Sequence, residues 1–239
     1  MVIHKILFTT LGSMMFDLQC PVAVVAHDAG GANQIIALLK AHGGADKILA
    51  YMEGPALKLW QSAFPFHKLS CTLDDALEGS FSLLTGTGWA SDLEYSAIHK
   101  ASRLGKKTIA LLDHWTNYEQ RFIREGRVVW ADEFWVVDRY AFLYAKQTFP
   151  GKSVRQIPDY YLQNQLEQIS PPVSDVQTLL YLLEPTRSNW GQNRPGEFQA
   201  LDYMIECIPL LSLPERVRIL LRPHPSESHL KYQDWMSKH

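Results

Sequence analysis

Residues 22–33, VAVVAHDAGGAN, decide how this chain folds. Val22 to Ala26 form a short apolar run with no polar alternation, the pattern of a strand covered on both faces. His27 and Asp28 follow directly, and Gly30 and Gly31 turn the chain. A segment of helical period then runs from about Ala32 to His42, where Gly43 and Gly44 stop it. Strand, glycine-bearing loop and helix in that order open a βα unit of a parallel sheet.

The same alternation continues along the chain. Further apolar runs predicted as strands are Lys47–Met52, Ser82–Thr85, Thr108–Leu112, Glu133–Val137, Thr178–Leu183 and Val217–Leu221. Leu93, Ala97, Ile98, Ala101 and Leu104 mark one face of a helix that Gly105 stops, and Ser91 with Glu94 three residues on reads as its capping box. Another helix, about Glu197 to Cys207, sets Ala200, Leu201, Met204, Ile205 and Ile208 on one side. The fold class is therefore α/β: a Rossmann-like parallel sheet flanked by helices over residues 21–167, then a partial second Rossmann-like domain over 177–239. Residues 168–176, QISPPVSDV, read as the linker, because its two prolines fit neither a central strand nor a helix interior. About 63 residues follow it. An independent core usually needs about 70 to 80, so this part either joins the first sheet or opens a second domain.

The chain has 239 residues, 46% of them apolar, enough for at least one full core. Lys+Arg 23 against Asp+Glu 25 give a formal charge of -2, which supplies no field to draw nucleic acid or an anionic membrane onto the whole surface. Membrane association is expected to be peripheral at most, and any bound anion must be gripped locally. Cys20, Cys71 and Cys207 lie far apart without CxxC spacing, which argues against a disulfide framework and a cysteine zinc site and for a reducing cytoplasm. Ile6 to Phe16 is apolar but too short to span a bilayer, and Asp17 and Gln19 stand where a leader's cleavage site wants small residues. Residues 1–20 read as an N-terminal extension. A homo-oligomer is left open.

In an open α/β sheet, ligands bind beyond the carboxyl ends of the strands. Four loops there are rich in chemistry. In His27-Asp28-Ala29-Gly30-Gly31-Ala32-Asn33, the two glycines let a ligand or another backbone approach a helix N-terminus, and Asp28 is either a functional carboxylate or a cap. Thr85-Gly86-Thr87-Gly88-Trp89 offers glycines and hydroxyls to a sugar or phosphate, while Ser91, Asp92 and Glu94 are expected to be used in capping. Asp113-His114-Trp115-Thr116-Asn117-Tyr118 puts a carboxylate, an imidazole and two aromatic rings together. That suits a sugar ring and a hydroxyl proton, or else an Asp-His pair that ties the loop down. In Arg222-Pro223-His224-Pro225-Ser226-Glu227, two prolines fix the backbone around His224, and Ser226 caps the next helix, which makes a receptor for phosphate or carboxylate. A fifth loop carries Thr186, Arg187 and Ser188, as ligand contacts or as plain surface. No GxSxG elbow, dinucleotide GxGxxG, Walker loop, HExxH or facial triad is present, so no metal and no cofactor is expected.

The strand followed by Arg222-Pro223-His224-Pro225 resembles the His-Pro motif of GT-B glycosyltransferases, which have two facing Rossmann-like domains. It looks most like the branch of bacterial sialyl- and polysialyltransferases and related capsule or lipopolysaccharide transferases. The resemblance implies that His224 holds or protonates the phosphate of a nucleotide-sugar donor. It also implies that an acid near a glycine in the first domain activates the hydroxyl of a glycan acceptor. His27-Asp28-Ala29-Gly30 is similar to that acid motif, with an alanine between acid and glycine, which leaves Asp113 as a competitor for Asp28. Family members carry more second domain after the His-Pro element than the residues up to His239 supply. The implied activity is inverting, metal-independent sugar transfer for polysaccharide biosynthesis. Asp28 or Asp113 would act as base and His224 as donor-side catalyst. His27, Gly30, Gly31, Asn33, Thr87, Gly88, Trp89, His114, Trp115, Arg187, Arg222 and Ser226 would contact substrates, with Trp89, Trp115 and Tyr118 shaping the acceptor cleft. The alternatives are a nucleotide-sugar epimerase or hydrolase, and a non-catalytic module that binds a sugar phosphate.

Overall fold

The structure, a computed structural model, describes residues 18, 20–88, 91–170, 177–186, 188–190, 193–214, 216–224 and 227–238. They fall into two compact units that divide between Ile169 and Ser170.

The first unit runs β1 (Val22–Ala26), α1 (Ala29–Ala41), β2 (Ile48–Met52), α2 (Gly54–Ala63), α3 (Leu73–Glu78), β3 (Ser82–Thr85), α4 (Leu93–Arg103) and β4 (Lys107–Leu111). A 3-10 turn (Glu119–Phe122) and a small hairpin, β5 (Ile123–Arg124) with β6 (Arg127–Val128), lead to β7 (Glu133–Val136), α5 (Arg139–Thr148), β8 (Ser153–Gln156) and α6 (Tyr160–Glu167). Six strands form one sheet in the order β2-β1-β3-β4-β7-β8, and every neighbouring pair is parallel. This is a doubly wound, Rossmann-like α/β sheet. The chain winds outward from β1 to β2 and then returns past β1 to build β3, β4, β7 and β8. The order therefore reverses between β1 and β3, where doubly wound sheets open their ligand crevice.

Apolar clusters cover the sheet. Leu77, Ala97, Ile98, Phe134 and Phe149 belong to one, and Ile35, Leu38, Trp60, Leu111 and Trp135 to the other. Burying each large side chain of this kind stabilises the fold by about 1.5–3 kcal/mol. β1, β3 and β7 are buried at every residue, which is why their sequences carry no alternation. β8, by contrast, was not among the predicted strands. It is an edge strand with Ser153 and Gln156 exposed, so only Val154 of its four residues is an apolar core residue. Of the expected N-terminal extension, Leu18 is buried in the core and Cys20 packs beside it, while the remainder of residues 1–19 lies outside the described residues.

The second unit contains β9 (Gln177–Leu182), α7 (Gly196–Cys207), a 3-10 turn (Ile208–Leu210), β10 (Val217–Arg222), another 3-10 turn (His229–Tyr232) and α8 (Gln233–Met236). β9 and β10 pair in parallel with each other and do not join the six-stranded sheet. Their inward residues Tyr181, Ile219 and Leu221 pack on Leu201 and Met204 of α7 and on Tyr232 and Trp235. The expectation of strands covered on both faces does not hold here: Leu180, Leu182 and Leu220 are exposed. This unit's buried cluster covers one face of its two strands, so burial alternates along both.

Candidate functional site

The reversal point is built by the loop between β1 and α1. Asp28 is the N-cap residue of α1, but its side chain makes no capping hydrogen bond. Instead Asp28 Oδ1 pairs with His27 Nδ1 at 2.8 Å, and both side chains remain partly exposed. The described residues give Asp28 Oδ2 no hydrogen-bond partner. It lies against Gly88, where an added Cβ would collide with the carboxylate.

Beneath this loop lies a residue that sequence reading assigned to another task. Glu94 does not close a capping box with Ser91. Its Oε1 accepts the backbone N–H of His27 at 2.7 Å and that of Asp28 at 3.4 Å, across 66 or more residues of chain. Glu94 is 2% exposed, and its Oε2 is buried with no hydrogen-bond partner among the described residues. Burial pushes its carboxyl above the usual range, and the nearby Asp28 charge adds to the rise against the pull of the accepted N–H groups. Ser91 Oγ alone receives a local bond, from Leu93 N–H at 3.1 Å.

A second network lies between β3 and β4. Arg121, 7% exposed, donates to Asp113 Oδ1 at 2.8 Å, to Thr87 Oγ1 at 2.9 Å and to the Thr87 carbonyl at 2.6 Å. Thr87 is buried and also bonds the Leu111 carbonyl, so its hydroxyl is used inside the protein rather than offered to a ligand. Asp113 Oδ2 reaches the start of α1, where a side chain on Gly30 would collide with it. Gly31 meets Gly86: a Cβ there would come within 2.9 Å of the Gly86 Cα. The glycines of both loops thus admit Asp113 and another backbone. Three carboxyls, Asp28, Glu94 and Asp113, surround the N-terminus of α1, a setting that disfavours a phosphate there despite the helix dipole.

Of the remaining predicted residues in this unit, Trp115 is 61% exposed with its indole N–H donated to Asp138 Oδ2 at 2.7 Å, and His114 is exposed beside Thr116. Asn33 faces away, towards the groove between α1, α2 and α6. Tyr118 does not shape a cleft. It is 1% exposed, packed on Tyr144 and Phe149, with burial pushing its hydroxyl up to about 12. Trp89 lies outside the described residues.

In the second unit, Arg222 ends β10 and is exposed, while His224 is half-buried and its carbonyl accepts the N–H of Glu227 at 2.9 Å. Arg187, Pro225 and Ser226 lie outside the described residues. Thr186 donates to Glu197 Oε2 at 2.5 Å and accepts the Glu197 N–H at 3.0 Å, which ties its loop to the first turn of α7. Lys231 pairs with both Glu197 and Glu227, and Tyr232 donates to Glu227 at 2.6 Å. Burial works against these two carboxyls, but the Lys231 bonds, with Thr186 for one and Tyr232 for the other, hold both below the usual range.

No protein-family model matches the chain, and no curated protein matches its sequence. Among the described residues no three His, Cys, Asp or Glu side chains are grouped to hold a metal ion, and no helix is long and apolar enough to cross a membrane. Sequence reading missed Glu94 and Arg121. Nothing nearby singles them out, since Arg121 stands among Glu119, Gln120, Arg124 and Glu125 and Glu94 beside Asp92, and the His27 and Thr87 loops that they serve lie 34 or more residues away.

Proposed function

We propose that the chain is a glycosyltransferase that moves a sugar from a nucleotide-activated donor to a surface-glycan acceptor, with inversion and without a metal. The observation that carries this reading is Asp28 at the β1/β3 reversal. Its Oδ1 is held by His27, and its Oδ2, which lies against Gly88 of the loop after β3, has no hydrogen-bond partner among the described residues. Asp113, by contrast, has its Oδ1 already engaged by Arg121. Asp28 takes the proton of an acceptor hydroxyl while that oxygen bonds to the anomeric carbon. The bond from that carbon to the donor phosphate breaks, and its electron pair leaves on the phosphate. In the second unit, Arg222 ends β10 and His224 follows it, side chains of the kind that hold the phosphate of a nucleotide-sugar donor.

The test is turnover of the full chain with CMP-, UDP-, GDP- and CDP-activated sugars and a panel of glycan acceptors. Asp28→Asn is expected to lower kcat by about 10²- to 10⁴-fold, the usual range for a lost general base, with donor binding intact. His224→Ala is expected to weaken binding of the one productive nucleotide, read as the loss of its thermal-shift stabilisation. Full turnover by Asp28→Asn would remove the assignment. Free sugar released without an acceptor would favour a hydrolase, and nucleotide binding without any turnover a binding module.

A further inference from the structure

We propose that the cleft at the carboxyl ends of β4, β7 and β8 is a subsite for one hydroxyl-rich, non-anionic sugar ring. The proposal rests on the transferase reading only in calling that ring the acceptor. The cleft holds about 200 Å³ and is lined by Gln34, Asp113, His114, Trp115, Asp138 and Asp159 among others. Drug-sized sites run to about 300–1,000 Å³, so this one takes a single small ring rather than a nucleotide.

Its walls combine a fixed platform with hydrogen-bond acceptors. The Trp115 ring stands 61% exposed, yet its Nε1–H is pinned to Asp138 Oδ2, so an apolar face is held out to solvent in one orientation. Such a face stacks on the C–H side of a pyranose. Gln34, only 8% exposed, donates Nε2 to Asp159 Oδ1 at 3.1 Å, while its Oε1 has no donor among the described residues. Asp159 Oδ1 also caps α6 through Leu162 N–H, and the described residues leave Oδ2 unpartnered. The indole N–H and one of the two Gln34 amide N–H groups are thus used, while the carboxylate oxygens and Gln34 Oε1 on the walls are acceptors. No Lys or Arg is among the lining residues. Asp113 has its own cation in Arg121, but Asp138 and Asp159 are not paired with Lys or Arg among the described residues. A ligand must therefore bring donors and carry no negative charge, which excludes a uronic acid, a sialic acid or a phosphate at this position. The three carboxyls do not group as metal ligands do. Asp113 belongs to this cleft and also touches the start of α1, so a ring seated here lies next to the Asp28 loop.

Saturation-transfer NMR on the full chain tests this with the methyl glycosides of a neutral hexose, an amino hexose and a uronic acid, with hexose 6-phosphate, and with Mg²⁺ alone. The neutral and amino glycosides are expected to bind, and the two anions at least tenfold more weakly. Trp115→Ala should weaken the neutral glycoside at least tenfold, and Trp115→Phe should restore part of it. Asp159→Asn, which keeps a competent N-cap, should narrow the gap between neutral and anionic sugars. Equal binding of the uronic acid, no glycoside binding, an unchanged Trp115→Ala affinity, or Mg²⁺ displacing the sugar would each overturn the subsite. Sugar binding with no transfer from any donor leaves the subsite standing and removes the transferase reading. Transfer with an unchanged acceptor KM in Trp115→Ala does the reverse.

Discussion

Asp28 and Glu94 meet at one peptide group, and the difference in their surroundings assigns them different tasks. Asp28 is partly exposed with one oxygen on His27 and the other against Gly88, whereas Glu94 is sealed beneath the loop and grips its backbone. A buried carboxyl with a raised folded-state value holds its proton where the unfolded chain has already lost it. Stability then falls as pH rises from the ordinary carboxyl value of about 4.3 towards the raised one, and the deficit persists at higher pH. Glu94→Gln removes that titration and keeps an oxygen to accept the His27 N–H. We expect its urea midpoint to exceed the wild type's at pH 8, with the gap shrinking as pH falls towards 4. Glu94→Ala leaves the part-buried His27 N–H unmet and should be less stable than Glu94→Gln by about 1–3 kcal/mol at any pH. A Gln variant less stable than the wild type at pH 8 would mean that the loop holds Glu94 ionised. Asp28 was readable in the sequence because it follows a strand directly. Glu94 was not, because its spacing from Ser91 is also that of a capping box, and only a tertiary contact tells the two apart. The same spacing from Thr72 to Asp75 does make a full capping box, at the start of α3, where no loop competes for the acid.

At the scale of the element, what aligns the β1, β3 and β4 loops is a single guanidinium. Arg121 comes from the 3-10 turn after β4, crosses to Thr87 after β3 and fixes Asp113, whose other oxygen touches the first turn of α1. Arg121→Met of similar length would take this donor from the part-buried Asp113 carboxylate and from the buried Thr87 carbonyl. Breaking a fully buried pair costs about 3–5 kcal/mol, the upper bound for this one. We expect that loss in denaturant unfolding, together with a higher acceptor KM. Arg121→Met/Asp113→Asn should recover part of the stability, and an unshifted midpoint for the single variant would show that the pair is not structural. The sequence announced β1, β3 and β7, which are buried at every position, and also β2, β4, β9 and β10, whose apolar runs are only partly buried. Lys107 rather than Thr108 opens β4, and β10 extends to Arg222, because backbone pairing continues past the apolar run. β8, α2, α3, α5 and α6 escaped notice. β8 is an edge strand and α3 only six residues long, while α2 and α5 bury two residues each and α6 none, so few of their residues carry a core signal.

Across the whole molecule, the two units differ in what holds them. The first is covered by two apolar clusters, while the second has, among its described residues, five buried apolar ones and a clip in which Lys231 bridges Glu197 of α7 and Glu227 before the 3-10 turn. The stretch QISPPVSDV marked the division in the sequence by its prolines. The clip had no such signal, because it joins residues whose spacing of 30 or more in one case and four in the other gives no common period. Glu197 and Glu227 are both held below the ordinary carboxyl range, so the stability that they contribute is present above about pH 4.3 and is lost as pH falls through their lowered values. The first unit also has such a carboxyl, Glu133, which Lys107, Trp135 and Arg155 hold low against its burial, but there the larger core remains when it protonates. Amide hydrogen exchange, corrected for intrinsic rate, should therefore show protection lost in α7 and β10 before β1, β3 and β4 between pH 7 and pH 3. Lys231→Met removes the clip at all pH values, so it should bring the same loss to neutral pH in the second unit alone. Simultaneous loss in both units, in the wild type and in the variant, would mean that the protein opens as one cooperative body and that its smaller unit does not depend on this ion pair.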